Sequence, residues 1–161
     1  MMKKVMIAVM ALALSVGMAT AQKVELIPAT TNTANFTGLK VSYDEAGIKT
    51  AEIEFVDGKA EGKISRFYAN GQLKETGYYL AGQKHGNWSS YSETGKLLST
   101  AHFNNGAKDG EWLVWDTEGN LRYKLSYKNG TPVGEWAMYD ALGKVSNRKQ
   151  LEEESSNARA K

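Results

Sequence analysis

The stretch from Phe67 to Tyr91 decides the fold, and it reads FYANGQLKETGYYLAGQKHGNWSSY. Three of its glycines recur every 24 residues along the chain. A fixed period of this length is typical of a repeat architecture. The three series are Gly47, Gly71, Gly95, Gly119 and Gly143; Gly58, Gly82, Gly106 and Gly130; and Gly62, Gly86, Gly110 and Gly134.

Aromatic residues keep the same period. About four copies result, from Tyr43 to Leu151, and the copies at both ends are degraded, as expected where a repeat array must be capped. The aromatic series are Trp88, Trp112 and Trp136, with Ile64 in the first copy; Phe67, Tyr91, Trp115 and Tyr139; and Phe55, Tyr79, Phe103 and Tyr127.

Each copy contains two turn signals, such as Glu118-Gly119 and Asn129-Gly130. Asn-Gly and Asp-Gly pairs suit two-residue type I′ hairpin turns, in which φ is positive at both central residues. Residues 121–127 alternate between apolar and polar, which indicates strands rather than helices. The pattern predicts an all-β fold, an elongated single-layer antiparallel meander of tandem β-hairpins with a 24-residue repeat.

A two-residue loop at Glu118-Gly119 would pair Trp112 with Leu125 and place Trp112 on the apolar side of the sheet, here called face one. Trp115, three residues further on, would then lie on the opposite side, face two. Glycine inside the tryptophan strands is expected to let a neighbouring ring lie over the backbone. That expectation concerns Gly86, Gly110 and Gly134.

The same register predicts an aromatic ladder on face two, which is the candidate partner-binding site. A β-bulge in the tryptophan strand, or a terminal segment covering face two, would instead give these rings a structural role. The ladder consists of Phe67, Tyr91, Trp115 and Tyr139. The residues expected opposite the ladder are Lys74, Leu98, Arg122 and Ser146.

The N-terminal segment reads as a secretory signal peptide. Lys3 and Lys4 precede an apolar run over residues 5–16, and Ala19-Thr20-Ala21 is a small-x-small cleavage site. An uncleaved anchor is the alternative, although the run is short for a membrane span. The protein is therefore expected to be exported, to the periplasm or the medium.

The net charge and the composition limit the classes of partner and site that are expected. Removal of Lys3 and Lys4 with the signal peptide leaves 18 basic and 18 acidic residues, so the mature chain is neutral. No nucleic-acid binding and no strong membrane binding are expected of it. The chain has no cysteine, which excludes disulfides, thiolate zinc sites and a cysteine nucleophile.

Four regions are predicted: a signal peptide (1–21), an N-terminal extension or edge strand (22–42), a repeat domain (43–151) and a polar tail (152–161). The sequence contains no convincing arrangement of catalytic residues. His102 and Asp109 would meet across the Asn105-Gly106 turn, but one such pair is not a triad. No spacing suits a metal or a nucleotide, so no cofactor, metal or catalytic residue is predicted.

The residues FYANGQLK (67–74), GYY (77–79) and GNWSSY (86–91) resemble the MORN-repeat variant. Such repeats occur in bacterial proteins grouped as YwqK-type antitoxin-like, many of them exported. The resemblance implies an elongated β-sheet with a binding or scaffolding role, and its label suggests that the protein neutralises a toxin.

These observations predict an exported, non-enzymatic repeat protein that binds a protein partner through a sheet face or edge. A cell-envelope module that binds a glycan through the aromatic ladder is the first alternative. An antitoxin-like partner of a toxin is the second. The sequence does not separate them, because all three would use the same surfaces.

Overall fold

The computed structural model describes Val24–Glu25 and residues 35–151. The predicted signal peptide (1–21) and polar tail (152–161) lie outside the described residues, as does much of the predicted extension. The strands are β1 (Val24–Glu25), β2 (Gly38–Tyr43), β3 (Lys49–Val56), β4 (Lys59–Phe67), β5 (Leu73–Leu80), β6 (Gln83–Tyr91), β7 (Leu97–Asn104), β8 (Ala107–Lys108), β9 (Gly110–Trp115), β10 (Leu121–Lys128), β11 (Thr131–Pro132), β12 (Gly134–Tyr139) and β13 (Val145–Leu151).

The strands form one sheet in chain order, which confirms the predicted all-β meander of hairpins. Among the described strands, only β1 pairs in parallel, with β2. Strands β8 and β11 extend the hairpin arms that continue as β9 and β12. Each strand makes its main contacts with its sheet neighbours, so the sheet is a single layer. No helix within residues 35–151 is long and apolar enough to cross a membrane.

The type I′ turns are confirmed. At Asn105-Gly106, φ is 46° and 82°, both positive as this turn requires, and Asn104 pairs with Ala107 across it. The other three turns have the same signs, at Asp57-Gly58, Ala81-Gly82 and Asn129-Gly130. Ala81 is the outlier, because an alanine at φ 51° carries a steric cost that asparagine tolerates better.

Replacing Ala81 by asparagine is expected to stabilise the protein by about 0.5–1 kcal/mol, because asparagine is better accommodated in the left-handed region. The midpoint of urea unfolding should rise while its slope stays constant. Ala141→Asn is the matched control, since Ala141 is exposed in a loop and does not have a positive φ. Equal shifts for both variants would mean that backbone strain at Ala81 is not the cause.

The other turns differ from the prediction. Glu118-Gly119 is not a two-residue loop: the Gly119 N–H donates to the Asp116 carbonyl oxygen at 3.1 Å, and the Asp116 N–H donates to the Asn120 carbonyl oxygen at 3.0 Å. The loop is thus a type I turn followed by Gly119 at φ 92°. Oδ1 of Asp116 accepts the N–H groups of Glu118 and Asn120 at 3.1 and 2.8 Å, which holds this longer loop in place.

This loop should weaken on acidification. Partial burial raises the pKa of Asp116, but hydrogen bonds from Asn120 and Glu118 and the nearby charge of Arg122 outweigh it and lower the pKa below its usual 3.8. A carboxylate with a lowered folded-state pKa contributes stability above its unfolded-state pKa. That stability is lost as the pH falls through the folded-state pKa.

Asp116→Asn should therefore lower the Tm at neutral pH, and the difference from the parent protein should shrink as the pH approaches about 2. Glu118→Gln removes the same charge from the same loop and serves as the control. A Tm difference for Asp116→Asn that stays constant with pH would show that the ionised carboxylate is not what stabilises the loop.

Face one is the core. Its rings form a continuous row in which neighbouring centroids lie 5.2–6.0 Å apart. The Nε1–H of each tryptophan in this row donates to a backbone carbonyl of the preceding strand, for example Trp88 to Tyr78 at 3.2 Å. The row consists of Tyr79, Trp88, Phe103, Trp112, Tyr127 and Trp136.

The expected role of the strand glycines is wrong. A Cβ added at Gly86 would have no other atom within 4 Å, so no ring lies over this glycine. Its φ is 67°, and the backbone conformation is therefore what requires glycine there. Gly110 and Gly134 also have positive φ. The close approach occurs instead at Gly77, where a Cβ would overlap the ring of Trp88.

Hydrogen bonds tie each type I′ turn to the preceding repeat. The Gly106 N–H donates to the Lys84 carbonyl oxygen at 2.8 Å, and the Asn105 N–H donates to Nδ1 of His85 at 3.5 Å. The side-chain bond recurs in other copies, from Asp57 to Thr37, from Ala81 to Glu61 and from Asn129 to Asp109.

Candidate binding faces

The four ladder residues lie together on face two. Strand β9 is regular from Gly110 to Val114, so Trp115 points away from Trp112, as predicted from the odd spacing. The alternative of a bulge in this tryptophan strand is therefore not what the structure has. The bulge lies in the next strand, between Leu121 and Tyr123.

That bulge changes which residues are paired with the ladder rings. Trp115 pairs with Leu121, not with Arg122, and residues paired directly across two strands share a face. The expectation that Lys74, Leu98, Arg122 and Ser146 sit opposite the ladder is wrong. The pairs are Phe67 with Leu73, Tyr91 with Leu97, Trp115 with Leu121 and Tyr139 with Val145.

The ladder is therefore an apolar stripe in which rings and aliphatic side chains alternate. All four rings are half-buried. The sequence left open whether they would be exposed or buried, and the outcome lies between the two. No second layer of the described residues covers face two, since each strand packs mainly on its neighbours. The stripe thus presents ring surface to the solvent while its aliphatic partners shield part of each ring.

Charged pairs flank the stripe. Nζ of Lys124 lies 2.5 Å from Oε2 of Glu111, and the hydrogen bond and the charge of Glu111 raise the pKa of Lys124. Near the first ring, Nζ of Lys49 lies 4.2 Å from the centre of Phe67 and 2.8 Å from Oε1 of Glu52. The charged side chains beside the stripe form ion pairs with one another, so the apolar stripe is the distinctive feature of this face.

Both histidines have structural partners. His85 accepts the turn N–H of Asn105, and the His102 carbonyl oxygen accepts Nε1–H of Trp112 at 3.2 Å. Nδ1 of His102 is 3.9 Å from Oδ2 of Asp109, a loose contact at the surface. Within residues 35–151, no group of three or more His, Asp or Glu side chains is placed to hold a metal ion.

Two lysine side chains lie over tryptophan rings on face one, a contact that was not predicted from the sequence. Nζ of Lys84 lies 3.8 Å from the centre of the Trp88 ring, and Nζ of Lys108 lies 4.5 Å from that of Trp112, both within cation–π range. The signal was present, because these lysines are 24 residues apart. The next position in the series is Pro132, so this lysine series places no cation over the ring of Trp136.

A cavity of about 340 Å³ opens beside Trp136 at the C-terminal end of face one. Its exposed apolar lining includes Tyr123 and Met138, which are 40% and 42% exposed. Leu125 completes the apolar wall, and Asn147 and Lys149 of β13 form the rim. We call this space the Trp136 cavity. A wider and more polar depression of about 400 Å³ lies at the opposite end of the sheet, around Phe55 and Glu61.

Comparison with known proteins identifies the repeats. Residues 60–81, 84–105 and 108–129 match the family model of the MORN repeat variant. No curated protein matches the chain.

Two solved structures resemble the chain weakly. A crystal structure of accessory secretory proteins 1, 2 and 3 in Streptococcus pneumoniae is 17% identical, with a TM-score of 0.37 over 65% of this chain and 19% of that one. A crystal structure of a GtfA/B complex bound to UDP and GlcNAc is 11% identical, with a TM-score of 0.28 over 70% of this chain and 24% of that one.

This chain thus spans less than a quarter of each of the two solved chains. With TM-scores this low, neither structure carries an argument about function. The family match does define the centre of the sheet, from β4 to β10: the chain carries three tandem MORN-variant repeats.

Proposed function

We propose that the protein is exported and binds a protein partner, without catalysing a reaction, through the ladder on face two. The observation that carries this proposal is the apolar stripe of four half-buried rings, each paired with an aliphatic residue, on a face that no described segment covers. A contiguous apolar surface with polar flanks is typical of an interaction site.

The geometry of the stripe suits an elongated partner surface. A ladder ring occurs on every second strand, so neighbouring rings are about 9.5 Å apart, twice the spacing of paired strands. Tyrosine and tryptophan contribute large contact areas with few rotatable bonds, which lowers the entropic cost of binding. Ion pairs such as Lys124 with Glu111 would form the polar rim of the interface.

Export is the part of the proposal that rests on residues 1–21. The protein recovered from the periplasm or the medium is expected to begin at Gln22. N-terminal sequencing of that protein is the test, and intact protein that retains Met1 in the cytoplasm would contradict export.

The ladder is tested by comparing variants of single rings. Trp115→Ser and Tyr91→Ser should each reduce capture of the envelope partner at least several-fold, measured by quantitative co-purification after crosslinking. Leu142→Ser is the control, because Leu142 is an exposed apolar side chain in the loop between β12 and β13 and belongs neither to the ladder nor to the Trp136 cavity. Urea unfolding of each variant separates lost binding from lost folding. Equal capture by the ladder variants and the control would contradict the proposal.

A glycan ligand is the second candidate, and the ring spacing favours it. Rings about 9.5 Å apart match the length of a disaccharide unit in an extended polysaccharide, on whose sugar faces aromatic rings can stack. Oligosaccharides of the envelope should then quench tryptophan fluorescence in the parent protein and not in Trp115→Phe. Absence of quenching in the parent would leave the protein partner as the proposal.

A further inference from the structure

Strand β13, Val145–Leu151, has one open edge among the described residues. It pairs with β12 only, and residues 145–150 are all exposed. The corresponding strands of earlier repeats, β3, β5, β7 and β10, each have a pairing strand on both sides. An open edge presents a row of unpaired backbone N–H and C=O groups, which is a template for an added strand.

The Trp136 cavity lies next to this edge, on face one. In the interior of the sheet, the next strand contributes a ring beside the tryptophan: the ring of Tyr127 lies 5.4 Å from that of Trp112. The space left beside Trp88 and Trp112 is smaller there, about 160 Å³. At Trp136 the corresponding residue is Leu151, and Lys149 stands where Leu125 stands one repeat earlier. The cavity can therefore accept apolar side chains from a strand added to β13.

The charge of the edge indicates what kind of strand would bind. Position 149 is Ile53, Gly77, Ala101 or Leu125 in the earlier copies, and only here does it carry a charge. Arg148 is neutralised by Glu135 at 3.2 Å, whereas no carboxylate within residues 35–151 forms an ion pair with Lys149. The register of the sheet would place a residue of the added strand directly opposite Lys149.

A second copy of this strand is a poor occupant. It would bring another Lys149 against the same edge, and like charges on neighbouring strands are destabilising. An acidic strand complements the edge instead, because a carboxylate opposite Lys149 would form a cross-strand ion pair.

We propose that the open edge of β13 takes an extended acidic segment of a partner protein as an additional antiparallel strand. Alternate side chains of this segment point to face one, where apolar residues enter the Trp136 cavity and a carboxylate pairs with Lys149. This site is separate from the ladder rings, because the Trp136 cavity and Lys149 lie on face one whereas the rings lie on face two.

The test measures binding of two synthetic peptides to the full chain by fluorescence anisotropy. The acidic peptide is Thr-Leu-Thr-Glu-Thr-Leu-Thr-Glu-Thr, and the basic peptide has lysine in place of both glutamates. The acidic peptide is expected to bind more tightly to the parent protein. Lys149→Glu should weaken its binding roughly fivefold or more and should favour the basic peptide in turn, as expected for a cross-strand charge pair that is reversed.

Lys63→Glu is the control, because Lys63 is an exposed lysine on the interior strand β4, and this variant should bind both peptides as the parent does. Met138→Ser should weaken binding of both peptides through the cavity, and urea unfolding checks that each variant is folded. Equal binding of the two peptides, no binding at millimolar concentration, or a dimer of the parent protein that Lys149→Glu abolishes would each overturn the proposal.

Discussion

Replacing Trp88 by alanine is expected to lower the free energy of unfolding by about 3–5 kcal/mol, the usual cost of removing a buried ring. Trp88 is 3% exposed. Its ring lies 5.3 Å from that of Tyr79 and 6.0 Å from that of Phe103, and its Nε1–H donates to a backbone carbonyl. Urea unfolding monitored by circular dichroism gives the measurement.

Trp115→Ala is the comparison on the opposite face. Its ring is half-buried, so about 1–2 kcal/mol is expected from the smaller apolar area that leaves water on folding. Equal losses for Trp88 and Trp115 would mean that face two is packed as densely as face one. That result would also weaken the case for a binding surface on face two.

Gly77→Ala is expected to cost about 1–3 kcal/mol, the range for overpacking a filled core. Gly77 is buried and its φ is not positive, so the cost comes from contact alone. The added methyl group would overlap the ring of Trp88, which would have to move away from Tyr79 and Phe103. Thermal unfolding of the parent and the variant measures the loss.

A double-mutant cycle separates this overlap from other effects of the substitution. In a Trp88→Leu background the ring is absent, so adding Gly77→Ala should cost little. If Gly77→Ala costs the same in both backgrounds, the close approach to Trp88 does not explain why glycine occupies this position.

The same contact explains why the three repeat tryptophans are not equivalent. The sequence predicts one role for Trp88, Trp112 and Trp136, yet only Trp88 is buried. On the preceding strand, the residue beside each ring is Gly77, Ala101 or Leu125 in turn. A glycine lets the ring lie on the backbone, whereas a side chain there holds the ring further out.

The type I′ turns were predictable because their cause is local. Asn-Gly and Asp-Gly accept positive φ at both positions, and this requirement is the same wherever the turn lies. The Glu118-Gly119 loop was not predicted correctly, although a local signal was available. Asp116 stands three residues before Gly119, and its carboxylate accepts two backbone N–H groups that stabilise the longer loop.

The sequence by itself determined the period, the hairpins, the side of the sheet that forms the core and the four ladder residues, because side-chain alternation within one strand depends only on residue spacing. Tertiary structure decided what stands beside those residues. A bulge after each longer loop shifts the register between strands, so that Leu121 and not Arg122 pairs with Trp115. The Trp136 cavity likewise depends on packing against a neighbouring repeat, and single-strand spacing carries no information about that neighbour.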